Sequence, residues 1–292
     1  MAITTDPITF ATDLLGWYLV NINANDISVT GAKPKWLTTT LLFPTHTNSK
    51  EISRIFDDIV DACKKIDVTI IGGHTEITDS ISKPIAIGTM LGEVKKKEAV
   101  LTSGAKPGDT IILTKGIGIE GTSILCRDLE RVLIDNGVSN TTINAGKNYL
   151  FEPGISIIKD VSTILNTAKV HSMHDLTEGG LSTGIIEMAT ASNVGVVVNS
   201  EDLIISPITL DCCEATSINP LGLLSSGALI ATLNPSDVNS VIAALSKENI
   251  ICKNIGYVTE KESEILLTSK KGTVEFPRFN RDELARCFDL FN

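Results

Sequence analysis

The chain has 292 residues, 42% of them hydrophobic and 21% charged, and its formal net charge is −10 at pH 7. This balance predicts a soluble globular protein with one large domain or two domains of ordinary size. A net acidic chain repels phosphate backbones and anionic lipid headgroups, so nucleic acid and membrane surfaces are excluded as its main partners. No apolar run reaches the ~18–20 residues of a transmembrane helix.

The start of the chain, "MAITTDPITF", has neither the basic region nor the continuous apolar core of a signal peptide. Six cysteines show no CxxC pair and no zinc-finger spacing. We therefore expect reduced, mostly buried thiols and a cytoplasmic protein.

Residues 1–106 are predicted to form a first domain that is rich in strands. Short strands are predicted at "ITF", "WYLVNI" and "KWLTTTLLF", followed by a helix over "SKEISRIFDDIVDACKKID" with Ser49 as its N-cap. Next come a buried strand, "VTIIGG", that ends in paired glycines, and a further strand, "PIAIGTMLGEV". The Lys-Pro-Gly-Asp turn that follows places the domain boundary near residue 106.

Residues 107–292 are predicted to form a second domain in which strands and helices alternate. Strands are predicted at "TIILTK", "AKVHSMH", "GVVVNS", "GALIATL", "CKNIGYVT" and "EILLTS". Helices are predicted from about Gly118 to Leu133, from Gly154 to Asn166, directly after "HSMHDLTEGG", and over "SDVNSVIAALSKEN". This β-α-β-β-α-β-like order is typical of an α+β domain.

The stretch "TIILTKGIGIEG" has the G-x-G-x-x-G spacing of a dinucleotide fingerprint between a strand and a helix. The fingerprint also requires a second strand that ends in an acidic residue about 20 positions further on. Asp135 lies at that distance, but no apolar strand precedes it. A plain strand-to-helix turn is the better interpretation, and an NAD-dependent oxidoreductase is the weakest of the hypotheses.

The stretch "HSMHDLTEGG" combines acids and paired glycines at the point where a strand passes into a helix. Free N–H groups at a helix start favour an anionic oxygen, and Gly179 and Gly180 let a phosphate approach the backbone. Asp175 and Glu178 would repel that phosphate unless a divalent cation bridged them, and carboxylate oxygens suit Mg²⁺. The stretch therefore predicts a metal–phosphate site.

Plainer interpretations of the same stretch stay open. Asp175 or Thr177 would serve equally well as a helix cap. His171 and His174 are typical of structural histidines near a strand end, and a zinc site lacks an evident further ligand.

Three stretches of the first domain have a similar character: "TTDPITF", "NINANDISVTGAKP" and "IGGHTEITD". Each is also consistent with an ordinary turn. Together they predict carboxylates and glycines at several strand ends, an arrangement that suits a metal-bridged polyphosphate. The residues concerned are Asp6, Asn25, Asp26, Gly72, Gly73, His74 and Glu76.

These stretches, with "GAKPGDTIILTKGIGIEGTSIL" and "NPLGLLSSGALIA", occur in the order seen in the aminoimidazole ribonucleotide (AIR) synthase superfamily. That superfamily includes selenophosphate synthetase, thiamin-monophosphate kinase and the hydrogenase-maturation protein HypE. Over nearly its whole length, the chain resembles most closely the AIR-synthase-related or HypE-like group. The resemblance implies a PurM-like two-domain α+β fold, with an N-terminal β-rich dimerising domain and a C-terminal ferredoxin-like domain.

The resemblance also implies a homodimeric enzyme that binds ATP with Mg²⁺ and transfers a phosphoryl group to an unidentified small molecule. It assigns metal binding to Asp6, Asp26 and Asp175, and catalysis to Asp175 and Glu178. It assigns nucleotide contacts to Asn25, Asp26, Gly72, Gly73, His74, Gly179 and Gly180.

The sequence departs from the family pattern in two places. Members normally carry a glycine-rich, aspartate-containing segment before "TTD", whereas only Met1 to Ile3 come before that motif here. The alternative hypothesis is therefore a nucleotide-binding or partner-binding dimer with little catalysis. HypE ends in a cysteine that carries a carbamoyl group, but Cys287 lies five residues from the end of "PRFNRDELARCFDLFN". We expect Cys287 to be a packed thiol, which makes hydrogenase maturation a less favoured activity.

Overall fold

A computed structural model describes residues 1–9, 13–262 and 264–291. The chain divides into two compact units, Met1–Ala99 and Val100–Asn292. Phe10, the last residue of the predicted strand "ITF", lies outside the described residues. Within the described ranges, no helix is long and apolar enough to cross a membrane.

The first unit is a four-stranded sheet with two helices. Its sheet has the order β1-β4-β2-β3, in which β2 is parallel to β3 and antiparallel to β4. The elements are β1 (Ala2–Ile8), α1 (Leu15–Val29), β2 (Lys33–Pro44), α2 (Ser49–Lys65), β3 (Thr69–Thr78) and β4 (Ile85–Glu93).

Helix α1 replaces the predicted strand "WYLVNI", and that prediction was wrong. Tyr18, Leu19 and Val20 are all fully buried. Because consecutive residues of a helix point in different directions, a helix covered on most sides lacks the 3.6-residue apolar period by which helices are recognised. The start of α2 also differs from the prediction, because its N-cap is Asn48, whose side chain accepts a hydrogen bond from the N–H of Glu51, and not Ser49.

Strand β3 was predicted to be buried and to end at its paired glycines, and both predictions were wrong. It continues through Gly72, Gly73 and His74, and it lies at one edge of the sheet. The side chains of Ile70, Ile71 and Ile77 are 40%, 54% and 57% exposed. A run of β-branched residues indicates a strand, but it does not show which faces of that strand are covered.

The second unit has a seven-stranded mixed sheet of order β11-β10-β7-β9-β5-β8-β6. The strands are β5 (Thr110–Thr114), β6 (Val170–Asp175), β7 (Gly195–Asn199), β8 (Leu229–Leu233), β9 (Cys252–Thr259), β10 (Ile265–Ser269) and β11 (Gly272–Glu275). The helices are α3 (Ile119–Asp128), α4 (Glu130–Asp135), α5 (Asn140–Lys147), α6 (Ile158–Thr167), α7 (Gly180–Ser192), α8 (Pro207–Thr216), α9 (Val238–Lys247) and α10 (Glu283–Phe291).

Two predicted helices of this unit have different bounds in the structure. The single helix predicted from Gly118 to Leu133 is two helices, α3 and α4, because the backbone of Leu129 leaves the helical region at φ −118°. Helix α6 begins at Ile158 and not near Gly154, whose φ of +87° lies in the left-handed region. Helices α5 and α8 and strand β11 were not predicted.

In the sheet of the second unit, two glycine turns follow strands that end on the same side of the sheet. Strands β5 and β6 are both antiparallel to β8, so they are parallel to each other. Their carboxyl ends therefore meet at the same edge of the sheet, one on each side of β8. All five residues of β5 are buried, and α7 packs against one face of the sheet through Ile185 and Met188. This core holds the turn after β5 and the turn after β6 in place.

Candidate functional site

The turn between β6 and α7 depends on its two glycines. Gly179 is the N-cap of α7 at φ +75°, and Gly180 follows at φ +58°. A Cβ atom on Gly180 would lie 2.5 Å from the carbonyl oxygen of Leu223, which is too close for a real contact. Because Gly179 is the N-cap, the alternative in which Asp175 or Thr177 caps the helix is wrong.

Asp175 is the last residue of β6 and is only 6% exposed. Its Oδ2 atom is buried without a hydrogen-bond partner among the described residues. Burial raises the pKa of this carboxyl group, and the nearby His174 offsets only part of the rise. A buried carboxylate oxygen without a partner is unfavourable, and a divalent cation would supply the missing interaction. Asp175 therefore fits a metal-binding role.

The two histidines of this stretch have partners within the protein. His174 Nδ1 lies 2.6 Å from the backbone oxygen of Asp175, and His174 Nε2 lies 2.9 Å from Glu187 Oε2. His171 Nδ1 lies 2.8 Å from Asp109 Oδ1. In the described part of the chain, no group of three or more His, Cys, Asp or Glu side chains could by itself hold a metal ion. Both histidines are therefore bonded to acceptors within the protein.

A carboxylate from the end of the chain reaches the same turn. Asp282 accepts a hydrogen bond from the N–H of Gly179 at 2.6 Å and another from the N–H of Leu284 at 2.7 Å. Asp282 is 6% exposed, and burial raises its pKa to about 6 against the opposing hydrogen bonds from backbone N–H groups. The sequence analysis missed this residue, since Gly179 and Asp282 are 103 positions apart.

The amides of the two glycines are thus already used inside the protein. Gly179 donates to Asp282, and Gly180 donates to the carbonyl oxygen of Thr177 at 3.0 Å. The glycines contribute a left-handed backbone in a closely packed turn, and their own N–H groups are already bonded. Glu178 is exposed beside them, and its charge contributes to the raised pKa of Asp282.

In the first unit, the predicted metal ligands Asp6 and Asp26 lie on β1 and α1, which contact each other. Thr4 Oγ1 donates a hydrogen bond to Asp26 Oδ2 at 2.8 Å, and the N–H of Asp6 donates to Asn23 Oδ1 at 3.2 Å. Asp6 and Asp26 are half-buried, whereas Asn25 is fully buried in α1. Asp6 lies within a strand and the other two within a helix, so the prediction that they lie at strand ends is wrong.

Gly72, Gly73 and His74 lie within β3 and do not form the predicted turn. All three are exposed, and His74 Nε2 is 3.7 Å from Glu76 Oε2. A Cβ atom on Gly73 would lie 2.6 Å from the carbonyl oxygen of Thr39, so this glycine permits the close pairing of β3 with β2. The nucleotide contacts that the resemblance implies for these residues stay a prediction.

The "GIGIEG" turn after β5 has a structural role. The N–H of Gly118 donates to Ser225 Oγ at 2.8 Å, and the N–H of Gly121 donates to the carbonyl oxygen of Leu224 at 2.9 Å. Ser225 in turn donates its N–H to the carbonyl oxygen of Thr177 in the β6–α7 turn at 3.4 Å. Asp135 ends helix α4, so the strand with an acidic end that an NAD fingerprint needs is missing at that position.

Cys287 is fully buried in α10, and burial raises the pKa of its thiol to about 11. It is the packed thiol that the sequence predicted.

Comparison with known proteins agrees with the ordered motifs. The family model described as AIR synthase related protein, N-terminal domain, matches residues 1–94, and the corresponding C-terminal domain matches residues 106–268. A putative hydrogenase expression/formation protein of Methanocaldococcus jannaschii is 27% identical over 272 residues, which cover 92% of this chain and 77% of the relative. A thiamine-monophosphate kinase of Buchnera aphidicola is 25% identical, with 95% of this chain and 85% of the relative covered.

Among solved structures, a hydrogenase maturation protein HypE in complex with ATP is similar to this chain with a TM-score of 0.78. The two are 20% identical, and the match covers 98% of this chain and 86% of that protein. The predicted PurM-like two-domain α+β fold is thereby confirmed. With both halves of the chain matched by its domain models, this protein belongs to the AIR synthase related protein family.

Proposed function

We propose that this protein is an ATP- and Mg²⁺-dependent enzyme that transfers a phosphoryl group to a small molecule. The observation that carries the proposal is the buried, unpartnered Oδ2 atom of Asp175 beside the glycine turn that begins α7. A carboxylate oxygen in this state is matched to a hard divalent cation, and Mg²⁺ in proteins commonly binds through one or two carboxylates together with phosphate oxygens.

The chain's own residues would position the phosphates and the metal. Asp175 would hold Mg²⁺, whose charge stabilises the phosphate oxygens during transfer. Gly179 and Gly180 would give the turn its left-handed backbone beside the phosphates, and Asp282 would hold that turn in place. The metal binding that the resemblance assigns to Asp6 and Asp26 stays a prediction, and the exposed Glu178 would face the substrate. Catalysis would then consist mainly of positioning and charge neutralisation.

The relatives support this proposal. One is named as a kinase of thiamine monophosphate, and a protein of the same fold was solved with ATP. Hydrogenase maturation is less favoured, because the thiol of Cys287 is buried inside the second unit.

We also propose that the protein is a homodimer formed through β3. Each residue of this strand except the last is exposed on an edge of the sheet, and three of its isoleucines face solvent. An exposed apolar edge strand is a ready site for pairing with another chain. Ile71→Lys should therefore shift the sedimentation coefficient from dimer to monomer, whereas the same change at the exposed Ile134 of α4 should not. A wild-type monomer would contradict the proposal.

The central test is isothermal titration with ATP, with and without Mg²⁺, on the wild type and on Asp175→Asn. The variant should weaken Mg²⁺-ATP binding by at least about 30-fold, or about 2 kcal/mol, and should change metal-free ATP binding little. Asp135→Asn, on the exposed end of α4, is the matched control. Equal loss of both binding modes would remove Asp175 from the metal site.

Turnover decides between the two functional hypotheses. ADP formation in the presence of a panel of small phosphate acceptors would identify an enzyme and its substrate class. Mg²⁺-dependent ATP binding without ADP formation would instead favour the nucleotide-binding dimer with little catalysis.

A further inference from the structure

The second unit contains a cavity of about 740 Å³ that the phosphoryl-transfer proposal does not use. It lies beside the turn after β5, and its volume is in the range of pockets that bind small organic ligands. We name it the isoleucine pocket after six of the residues that line it, which are Ile117, Ile119, Ile204, Ile205, Ile250 and Ile251.

The most deeply buried charges of the isoleucine pocket satisfy each other. Lys115 Nζ donates to the carbonyl oxygens of Gly154 at 3.1 Å and Ser156 at 2.6 Å, and it lies 3.5 Å from Asp160 Oδ2. The side chains of Lys115 and Asp160 are 5% and 2% exposed. An ammonium group has three hydrogens, and these three acceptors use all of them. Lys115 therefore has no donor left for an anionic ligand.

The other charges that line the pocket also disfavour an anion. Lys159 Nζ lies 2.8 Å from Glu248 Oε2, so this lysine already has a carboxylate partner. Glu152 adds a further negative charge on an exposed part of the wall. A ligand with a negative group would be desolvated among apolar side chains without an available cation, which is unfavourable.

A pair of hydroxyl groups in the wall can accept a hydrogen bond from a neutral ligand. The hydroxyl groups of Tyr149 and Ser206 are hydrogen-bonded to each other, and Ser206 Oγ also accepts the N–H of Ile208 at 3.1 Å. A phenolic oxygen that takes part in one such bond retains acceptor capacity. A ligand N–H or O–H group can therefore bond to Tyr149.

We propose that the isoleucine pocket binds an uncharged, largely apolar small molecule that carries one N–H or O–H group. The apolar body packs against the isoleucines, and the donor group bonds to the Tyr149 hydroxyl. The proposal is independent of phosphoryl transfer, because none of the residues assigned to the metal or the phosphates lines this pocket.

The test compares two fluorescent probes with the same aromatic skeleton. N-Phenyl-1-naphthylamine is uncharged and has one N–H group, whereas 8-anilinonaphthalene-1-sulfonate adds a negative sulfonate. Titration of the full chain should show saturable binding of one uncharged probe per chain and at least tenfold weaker binding of the sulfonate. No saturable binding, or equal affinity for the two probes, would overturn the proposal.

Two isoleucine variants locate the bound probe. Ile251→Asp places a carboxylate in the wall of the pocket and should weaken binding of the uncharged probe at least tenfold. Ile134→Asp is the matched control, since Ile134 lies on α4 outside the pocket and is 43% exposed, against 60% for Ile251. The control should change the affinity less than twofold. Equal effects of the two variants, including no effect of either, would place the probe elsewhere and overturn the proposal.

Tyr149→Phe tests the hydrogen bond without a new charge and with little risk to folding. Loss of one bond should weaken binding of the uncharged probe by about threefold to tenfold. An unchanged affinity would overturn the assignment of Tyr149 as the partner of the ligand N–H.

Discussion

Two glycine turns leave the same edge of the second unit's sheet, one after β5 and one after β6. Each leads into a helix whose N-cap is a glycine at φ +75°, Gly118 for α3 and Gly179 for α7, and neither N-cap forms a side-chain capping bond. They differ in the charged residue near the strand end. The Lys115 ammonium has three acceptors, whereas the Oδ2 atom of Asp175 has no partner among the described residues.

The Lys115 ammonium therefore has a structural role, whereas the Asp175 carboxylate has an oxygen without a hydrogen-bond partner. Both groups are buried, so each is unfavourable unless it is compensated. The protein supplies the Lys115 ammonium with three acceptors, although burial still lowers the pKa of this group. Asp175 Oδ2 has no such partner, and this contrast is the physical basis for the proposal that a metal binds at the turn after β6.

The largest effect on the free energy of unfolding is expected when Lys115, at the turn after β5, loses its carboxylate partner Asp160. Asp160→Ala leaves the Lys115 ammonium buried without its carboxylate, and the free energy of unfolding should fall by about 3–5 kcal/mol in urea denaturation. The double variant Lys115→Met/Asp160→Leu removes both charges and should recover most of this loss. Asp175→Asn should lower stability little or not at all, because it removes a buried charge that His174, 3.9 Å away, offsets only in part. A loss below about 1 kcal/mol for Asp160→Ala would contradict the contrast between the turns.

A smaller loss of stability is expected when Gly180 in the β6–α7 turn is replaced. Gly180→Ala combines a left-handed φ with a Cβ atom 2.5 Å from a carbonyl oxygen, and it should lower the free energy of unfolding by about 3 kcal/mol. Gly137→Ala is the matched control, since Gly137 has φ +90° and open space around its Cβ position. The control should lose only about 1 kcal/mol. Similar losses for the two variants would show that conformational strain alone, without the clash, explains the need for glycine.

The smallest effect concerns Asp282 and depends on pH. Burial raises its pKa in the folded protein from 3.8 to about 6, so the folded state holds this proton more tightly than the unfolded state does. The associated stability is fully present below about pH 4 and is lost as pH rises towards 6. Asp282→Asn keeps an acceptor oxygen but does not ionise. The free energy of unfolding of the wild type should therefore fall relative to that of the variant by about 2 kcal/mol between pH 4 and 6.5. A difference that is constant over this range would show that Asp282 does not titrate there.

Local patterns were informative where an element's structure depends on its own residues. The strands β5 and β6 and the start of α7 were predicted because β-branched runs, paired glycines and turns are signals within a few residues. The same signals were wrong for α1, whose burial on most sides hides the helical period, and for the turn predicted at Gly72 and Gly73.

The sequence by itself determined the family, the α+β class and the acids and glycines of the β6–α7 turn. These features depend on the order of motifs and on residues that are close together in the sequence. Only the tertiary structure decided which charges are compensated. Asp282 reaches Gly179 across 103 positions, and Thr114 and Lys115 reach Asp160 across the fold. Such pairings follow from how strands and helices pack, so no local pattern shows that the Lys115 ammonium has three acceptors and that Asp175 Oδ2 has no hydrogen-bond partner among the described residues.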